Sequence, residues 1–190
     1  MEKYQTLQHV VTPQIQLILD KKQVKFENNS IFLDADDELK EIAQYVKLNT
    51  VHNSNININR IKYLYTTKPK KESNKYVVGE LIMRKELDKM INGDIDYFLI
   101  VYYQLWKELD IENKVIQLDK LLCGVVIDED KAKKRYPDSR EYISNLRTYG
   151  VEKVLKSSEI VDMTVERILE EEKETKRNLK QQQTNEQNYE

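Results

Sequence analysis

The chain has 190 residues, 31 basic and 33 acidic side chains, a formal charge of −2, 39% apolar residues and 34% charged ones. That length suits one domain, or one domain with an appendage, and the balanced charge removes the electrostatic case for nucleic acid or an anionic membrane. No apolar run approaches the roughly 18 residues needed to cross a bilayer, and a single cysteine excludes an internal disulfide and fits a reducing cytosol.

Residues 1–33 form an N-terminal arm or short strands, with Ile15–Leu19 and Ile31–Leu33 as the strand candidates; Met1–Val10 has no secretory pattern. Asp36 or Asp37 is positioned to cap a helix carrying Leu39, Ile42, Ala43 and Val46 at amphipathic spacing. The Asn-rich stretch 49–59 reads as a loop. Arg60–Tyr65 alternates and is rich in aromatic and β-branched residues, which predicts a strand. After a Lys-rich turn, Tyr76–Met83 returns as a second strand and makes a hairpin-like pair with the first. Lys85–Ile91 reads as a short helical turn stopped by Asn92-Gly93. Tyr97–Tyr103 is nearly all apolar, the pattern of a central strand buried on both faces.

A helix is predicted over about 112–126, with Ile111, Val115, Leu118, Leu122 and Val125 or Val126 as its core stripe. Asp138 and Glu141 have the spacing of a capping box for a further helix through Tyr142, Ile143 and Leu146 that stops at Gly150. The segment 151–190 reads as a helical extension with Ile160, Met163, Ile168 and Leu169 on one face, ending in a polar, fraying or disordered tail. Together these elements predict an α+β fold: a small mixed or antiparallel sheet of about three or four strands packed by helices.

The motif-bearing segment is Leu118-Asp119-Lys120-Leu121-Leu122-Cys123-Gly124-Val125-Val126-Ile127-Asp128. With the Tyr63-Leu64-Tyr65 strand, Gly79-Glu80, the strand from Asp96 to Tyr103, Pro137 and Tyr149-Gly150, it resembles a family of small phage and prophage metallopeptidase-like proteins. The resemblance covers about residues 38–150 and implies a zincin-like minimal core within a domain over 34–150. In that family the helix carries His-Glu-x-x-His, two imidazoles for zinc and a carboxylate as general base. Here Asp119, Lys120 and Cys123 stand at those three places, and Asp138 stands where a further site residue would fall.

A lysine cannot accept a proton while it is charged, and it repels a metal ion. The resemblance therefore implies a pseudo-metallopeptidase encoded by a phage or mobile element, with no catalytic residue, metal or cofactor. Asp119 is expected to face solvent, Cys123 to be a small core residue and Asp138 to cap a helix. His9 and His52 fall in weakly structured segments away from this helix and are expected at the surface. Cys123 as a nucleophile would need a histidine partner.

The function expected is that of a non-enzymatic binding protein in the cytoplasm of a bacterial host, inhibiting a host protein or defence system. Its contact candidates are Lys68, Lys70, Lys71 and Lys75 in the hairpin loop, and Ile160, Met163, Ile168 and Leu169. Two alternatives stand beside it: a divergent metal-dependent hydrolase using Asp119, Cys123 and Asp138, and a nucleic-acid-associated protein working through the Lys68–Lys75 loop.

Overall fold

The computed structural model describes residues 32–85, 93, 95–128, 131–137 and 141–187. The elements are β1 (Phe32–Asp34), α1 (Asp36–Asn49), β2 (Ile61–Thr66), β3 (Lys70–Glu72), β4 (Lys75–Val77), β5 (Gly79–Met83), β6 (Tyr97–Tyr102) and α2 (Tyr103–Glu108). They continue with α3 (Ile111–Leu122), β7 (Val125–Asp128), β8 (Lys131–Lys134), α4 (Ile143–Tyr149) and α5 (Val151–Gln187). Two 3-10 turns, Val51–Asn53 and Ile58–Arg60, lie between α1 and β2. This is the expected α+β class, with a four-stranded mixed sheet and two small hairpins.

The sheet order is β1-β2-β6-β5. β6 is the central strand that its apolar run predicts: Tyr97, Leu99, Val101 and Tyr102 are wholly buried. β2 runs parallel to it in the register Tyr63↔Leu99 and Tyr65↔Val101, and β5 runs antiparallel on its other side. The hairpin expected between β2 and β5 is therefore not formed. β6 separates them, and the expected second strand splits at Val78 into β4, which pairs with β3, and β5, which joins the main sheet. Gly79 permits that join, because a Cβ there would sit 2.0 Å from the carbonyl oxygen of Ile100.

On one face α1 packs Leu39, Ile42, Ala43 and Val46 against β2 and α3, all fully buried. Its N-cap is Ala35 rather than an aspartate, and no side chain caps it. Glu38 on this helix is buried and accepts from Trp106 Nε1 at 2.9 Å, from Lys114 Nζ at 3.2 Å and from the Tyr65 hydroxyl. Burial and the adjacent carboxylate push the Tyr65 hydroxyl far above the usual tyrosine range, so it stays a donor.

α3 is shorter than the sequence suggested. It ends at Leu122, and Cys123 and Gly124 turn the chain into β7, so Val125 and Val126 are strand residues. The β-branched run Val125–Ile127 explains the switch, with β8 as its partner (Val125↔Lys134). A Cβ on Gly124 would lie 2.9 Å from Leu81 Cδ2, so the turn packs tightly on β5.

α4 is also later than expected. Tyr142 is its N-cap without a side-chain bond, Ile143 is exposed, and Glu141 bonds elsewhere. Gly150, at φ 88°, separates α4 from α5. α5 buries Val154, Val161, Val165 and Ile168 on the body and continues as a single helix to Gln187. Lys85 is not helical, and 86–92, His9 and Asp138, on which a helical turn, a surface histidine and a helix cap were expected, lie outside the described residues. No helix among the described residues is long and apolar enough to cross a membrane.

Candidate metal centre

The site forms on the face of α3 next to its core stripe. Asp110 caps the helix through the Asn113 backbone N–H at 2.8 Å, while Val115, Leu118 and Leu122 fix its rotation on the sheet. That rotation sends Asp119 inward. It is 0% exposed, contrary to the expectation that it faces solvent, because the Val51–Asn53 turn and α4 close over it. The turn is anchored on α1 by Thr50, whose backbone N–H and hydroxyl both donate to the Val46 carbonyl at 2.9 Å.

Three side chains donate to the Asp119 carboxylate. Asn53 Nδ2 reaches Oδ1 at 2.5 Å, Asn145 Nδ2 reaches Oδ2 at 3.0 Å, and His52 Nε2 lies 3.0 and 3.1 Å from the two oxygens. His52 is therefore not the isolated surface residue expected; it packs against the helix, 67 residues from its partner in sequence. Burial opposes its protonation, but the bonds to and charges of Asp119 and Cys123 outweigh that effect and push its pKa up to about 10. At neutral pH, His52 and Asp119 are thus a buried ion pair.

Cys123, one turn along from Asp119, is 5% exposed, with Sγ 3.5 Å from Ser144 Oγ. One ligand atom each from His52, Asp119 and Cys123 lie within 4.8 Å of one another. The histidine partner that a Cys123 nucleophile would need is thus present. A thiol–imidazole–carboxylate relay uses one ring nitrogen for sulfur and the other for the carboxylate. Here Nε2 faces Asp119 and Nδ1 faces Thr148 Oγ1 at 3.4 Å.

The arrangement fits a metal ion better. Nitrogen, oxygen and thiolate sulfur are the donors of zinc-type sites, and two ligands ~2.0–2.2 Å from one ion lie about 3–3.5 Å apart. The 3.0 Å between His52 Nε2 and Asp119 Oδ1 is a hydrogen bond, whose proton an ion would have to replace. Thr148 behind His52, and Asn53 and Asn145 behind Asp119, hold the donors in orientation as outer partners of metal ligands do. Beside them opens a cavity of about 240 Å³ lined by His52, Asn53, Cys123, Arg135 and Ser144 among others.

Lys120 points elsewhere. Its Nζ donates to Glu141 Oε1 at 2.7 Å, an oxygen that also accepts from Ser158 Oγ at 3.0 Å, and the side chain is half-buried rather than exposed. Of the expected contact residues, Lys70 pairs with Glu80 at 2.9 Å and Lys71 lies over the Tyr76 ring at 4.2 Å. Ile160, Ile168 and Leu169 pack on the chain's own core, whereas Met163 is 70% exposed. Asn53, Asn145 and His52 carry no spacing signal relative to α3. The one available hint was a histidine inside an Asn-rich turn.

A family model described as "Putative phage metallopeptidase" matches residues 31–172. No curated protein and no solved structure matches the chain.

Proposed function

We propose that this chain, which belongs to the phage metallopeptidase family, holds a divalent metal ion of the zinc class without hydrolysing peptides, and acts by binding a protein of the bacterial host. The single observation carrying this reading is the convergence of His52, Asp119 and Cys123 while the side chain at the general-base place, Lys120, is paired with Glu141. His52 through Nε2, one Asp119 oxygen and the Cys123 thiolate would be the ligands. When bound, such an ion supplies Lewis acidity.

The chain's own residues do the rest. Asn53 and Asn145 keep the carboxylate aimed, Thr148 fixes the imidazole, and Ser144 donates toward the thiolate. None of them takes a proton from an attacking water, and Lys120, cationic and tied to Glu141, cannot. The expectation that no metal binds rested on the missing imidazole pair and on the charge of Lys120; in support of the present reading, His52 supplies one imidazole and Lys120 is turned toward Glu141. Binding a host protein, and inhibition of a host defence as its outcome, rests on the phage character of the family alone.

The test is elemental analysis of the purified protein combined with a caseinolytic assay. About one zinc per chain, lost in Cys123→Ala and His52→Ala, without proteolysis, is the expected result. Proteolysis abolished by Cys123→Ala would show a working hydrolase, and absence of any bound metal would remove the ion from the reading. Capture of one host protein that is lost when Met163 becomes Asp tests the partner. Nucleic-acid binding through the Lys68–Lys75 loop is the weaker reading, because Lys70 and Lys71 are already engaged within their own hairpin region.

A further inference from the structure

A second cavity, of about 210 Å³, opens where the β3–β4 hairpin meets α3 and α5. β4 contributes Tyr76 and Val77, α3 contributes Gln117 and Lys120, and α5 contributes Ser158 and Val161, with Glu141 as a further wall. The hairpin is seated on α5, because the Tyr76 backbone N–H donates to Asp162 Oδ1 at 2.8 Å.

Glu141 is 6% exposed, and its two oxygens differ in their surroundings. Oε1 accepts from Lys120 Nζ at 2.7 Å and from Ser158 Oγ at 3.0 Å. Oε2 is buried and has no hydrogen-bond partner among the described residues. A buried acceptor left in that state is costly, and a donor delivered through the cavity would remove the cost. Gln117 offers a second acceptor. Its Nε2 donates to Ser157 Oγ at 2.9 Å, which leaves its carbonyl oxygen to the cavity.

The charge of the donor that fits follows from Lys120. A cation at Oε2 would stand close to an ammonium already paired with the same carboxylate, whereas a neutral N–H gains a charge-assisted bond without that repulsion. An ammonium carries three N–H groups, so Lys120 can also donate to an acceptor on the ligand. An uncharged group with two donor hydrogens and one acceptor is a carboxamide. Val77 and Val161 supply apolar walls for its short stem.

We propose that this cavity binds a primary carboxamide, its NH2 donating to Glu141 Oε2 and to the Gln117 carbonyl, and its oxygen accepting from Lys120. The proposal goes beyond the metal reading and stands without it, because none of these three residues is among the metal ligands.

The test is a proton–nitrogen NMR titration of the full chain. The probes are propionamide and an acetylated alanyl-X-alanine N-methylamide in which X is glutamine, methionine or lysine. The glutamine peptide is expected to shift the signals of Tyr76, Val77 and Gln117, and to bind at least about tenfold more tightly than the methionine peptide, which has the length but not the amide. Glu141→Gln puts an amide donor where Oε2 accepts, and is expected to weaken the glutamine peptide by about tenfold or more. If that variant does not fold, the comparison of glutamine with methionine on the unmodified chain decides. Equal affinity for propionamide and the glutamine peptide makes a free amide sufficient; tighter binding of the peptide identifies a side chain of a protein partner. Equal binding of the glutamine and methionine peptides, tighter binding of the lysine peptide, no binding of any probe, or unchanged binding by a folded Glu141→Gln overturns the proposal.

Discussion

Asn145 donates to Oδ2 of Asp119 at 3.0 Å, and that contact ties α4 to the inward face of α3. With Asn53 and His52 on the same carboxylate, two separate segments of the chain, the Val51–Asn53 turn and α4, depend on one buried charge carried by α3. Asp119→Ala leaves His52 without its counter-charge and two amides without that acceptor, so a loss of about 3–5 kcal/mol is expected. Asp119→Asn should cost less, since it keeps the shape and one acceptor. Urea denaturation of both variants measures the difference, and equal losses would show that the charge alone, and not the retained shape and acceptor, holds the segments.

The ion pair also sets a pH dependence. The His52 pKa in the folded, metal-free protein is raised to about 10, above the ordinary 6.5. Its contribution to stability is therefore complete below about pH 6.5 and is lost as pH rises through 10. The urea midpoint of the metal-free protein should fall across that window, and His52→Gln should flatten the fall. A midpoint that rises from pH 7 to 10 in the wild type, but not in His52→Gln, would reverse the sign assigned here.

The interior pair of Glu38 and Lys114 should behave as a unit. Both are buried, 3.2 Å apart, and Trp106 and Tyr65 also donate to the carboxylate. Glu38→Leu leaves a buried ammonium without its partner and should cost about 3–5 kcal/mol. Adding Lys114→Met should recover part of that loss, which a double-mutant cycle reads directly. Additive losses would mean that the two charges do not interact.

On α3, Leu122→Ala should cost roughly 2–5 kcal/mol, because Leu122 is 0% exposed. Lys120→Ala should cost about 1–3 kcal/mol, more than an exposed lysine would, because it strips a buried Glu141 of its ammonium partner. Thermal or urea unfolding of the two variants checks the ranking; a neutral Lys120→Ala would mean that Glu141 finds another donor.

Gly79 offers a steric test of the sheet. A methyl group there meets the Ile100 carbonyl oxygen at 2.0 Å, so β5 must move away from β6. Gly79→Ala should lose about 3 kcal/mol or more. Loss of amide-exchange protection at Leu81 and Leu99, which are partners in that register, would locate the damage.

What was legible in the chain is what local pattern encodes. The unbroken apolar run of β6, the alternation of β2 and the stripe of α3 each appear within a single segment. Pairing is different. The parallel contact of Ile61 with Tyr97 brings together residues far apart in sequence, and no local signal distinguishes it from a β2–β5 hairpin. The end of α3 is not legible in the chain because Val125 and Val126 continue its apolar spacing, and only the partner strand β8 decides between helix and strand. The site likewise depends on contacts between distant segments. Asp119 and Cys123 share a face by helical spacing, but His52 arrives through a turn whose position depends on how α1 packs on α3.

Leu169 is the last residue of α5 in contact with the core, yet the helix runs on to Gln187, and its side chains from Glu170 to Leu179 face solvent. At 1.5 Å per residue the unsupported part projects roughly 27 Å from the body. The described residues therefore form a globule with a rod, a shape with more frictional drag than a sphere of equal volume. A label attached at the rod's far end travels well clear of the surface, so its tumbling reports on the stiffness of the rod rather than on the body that carries it.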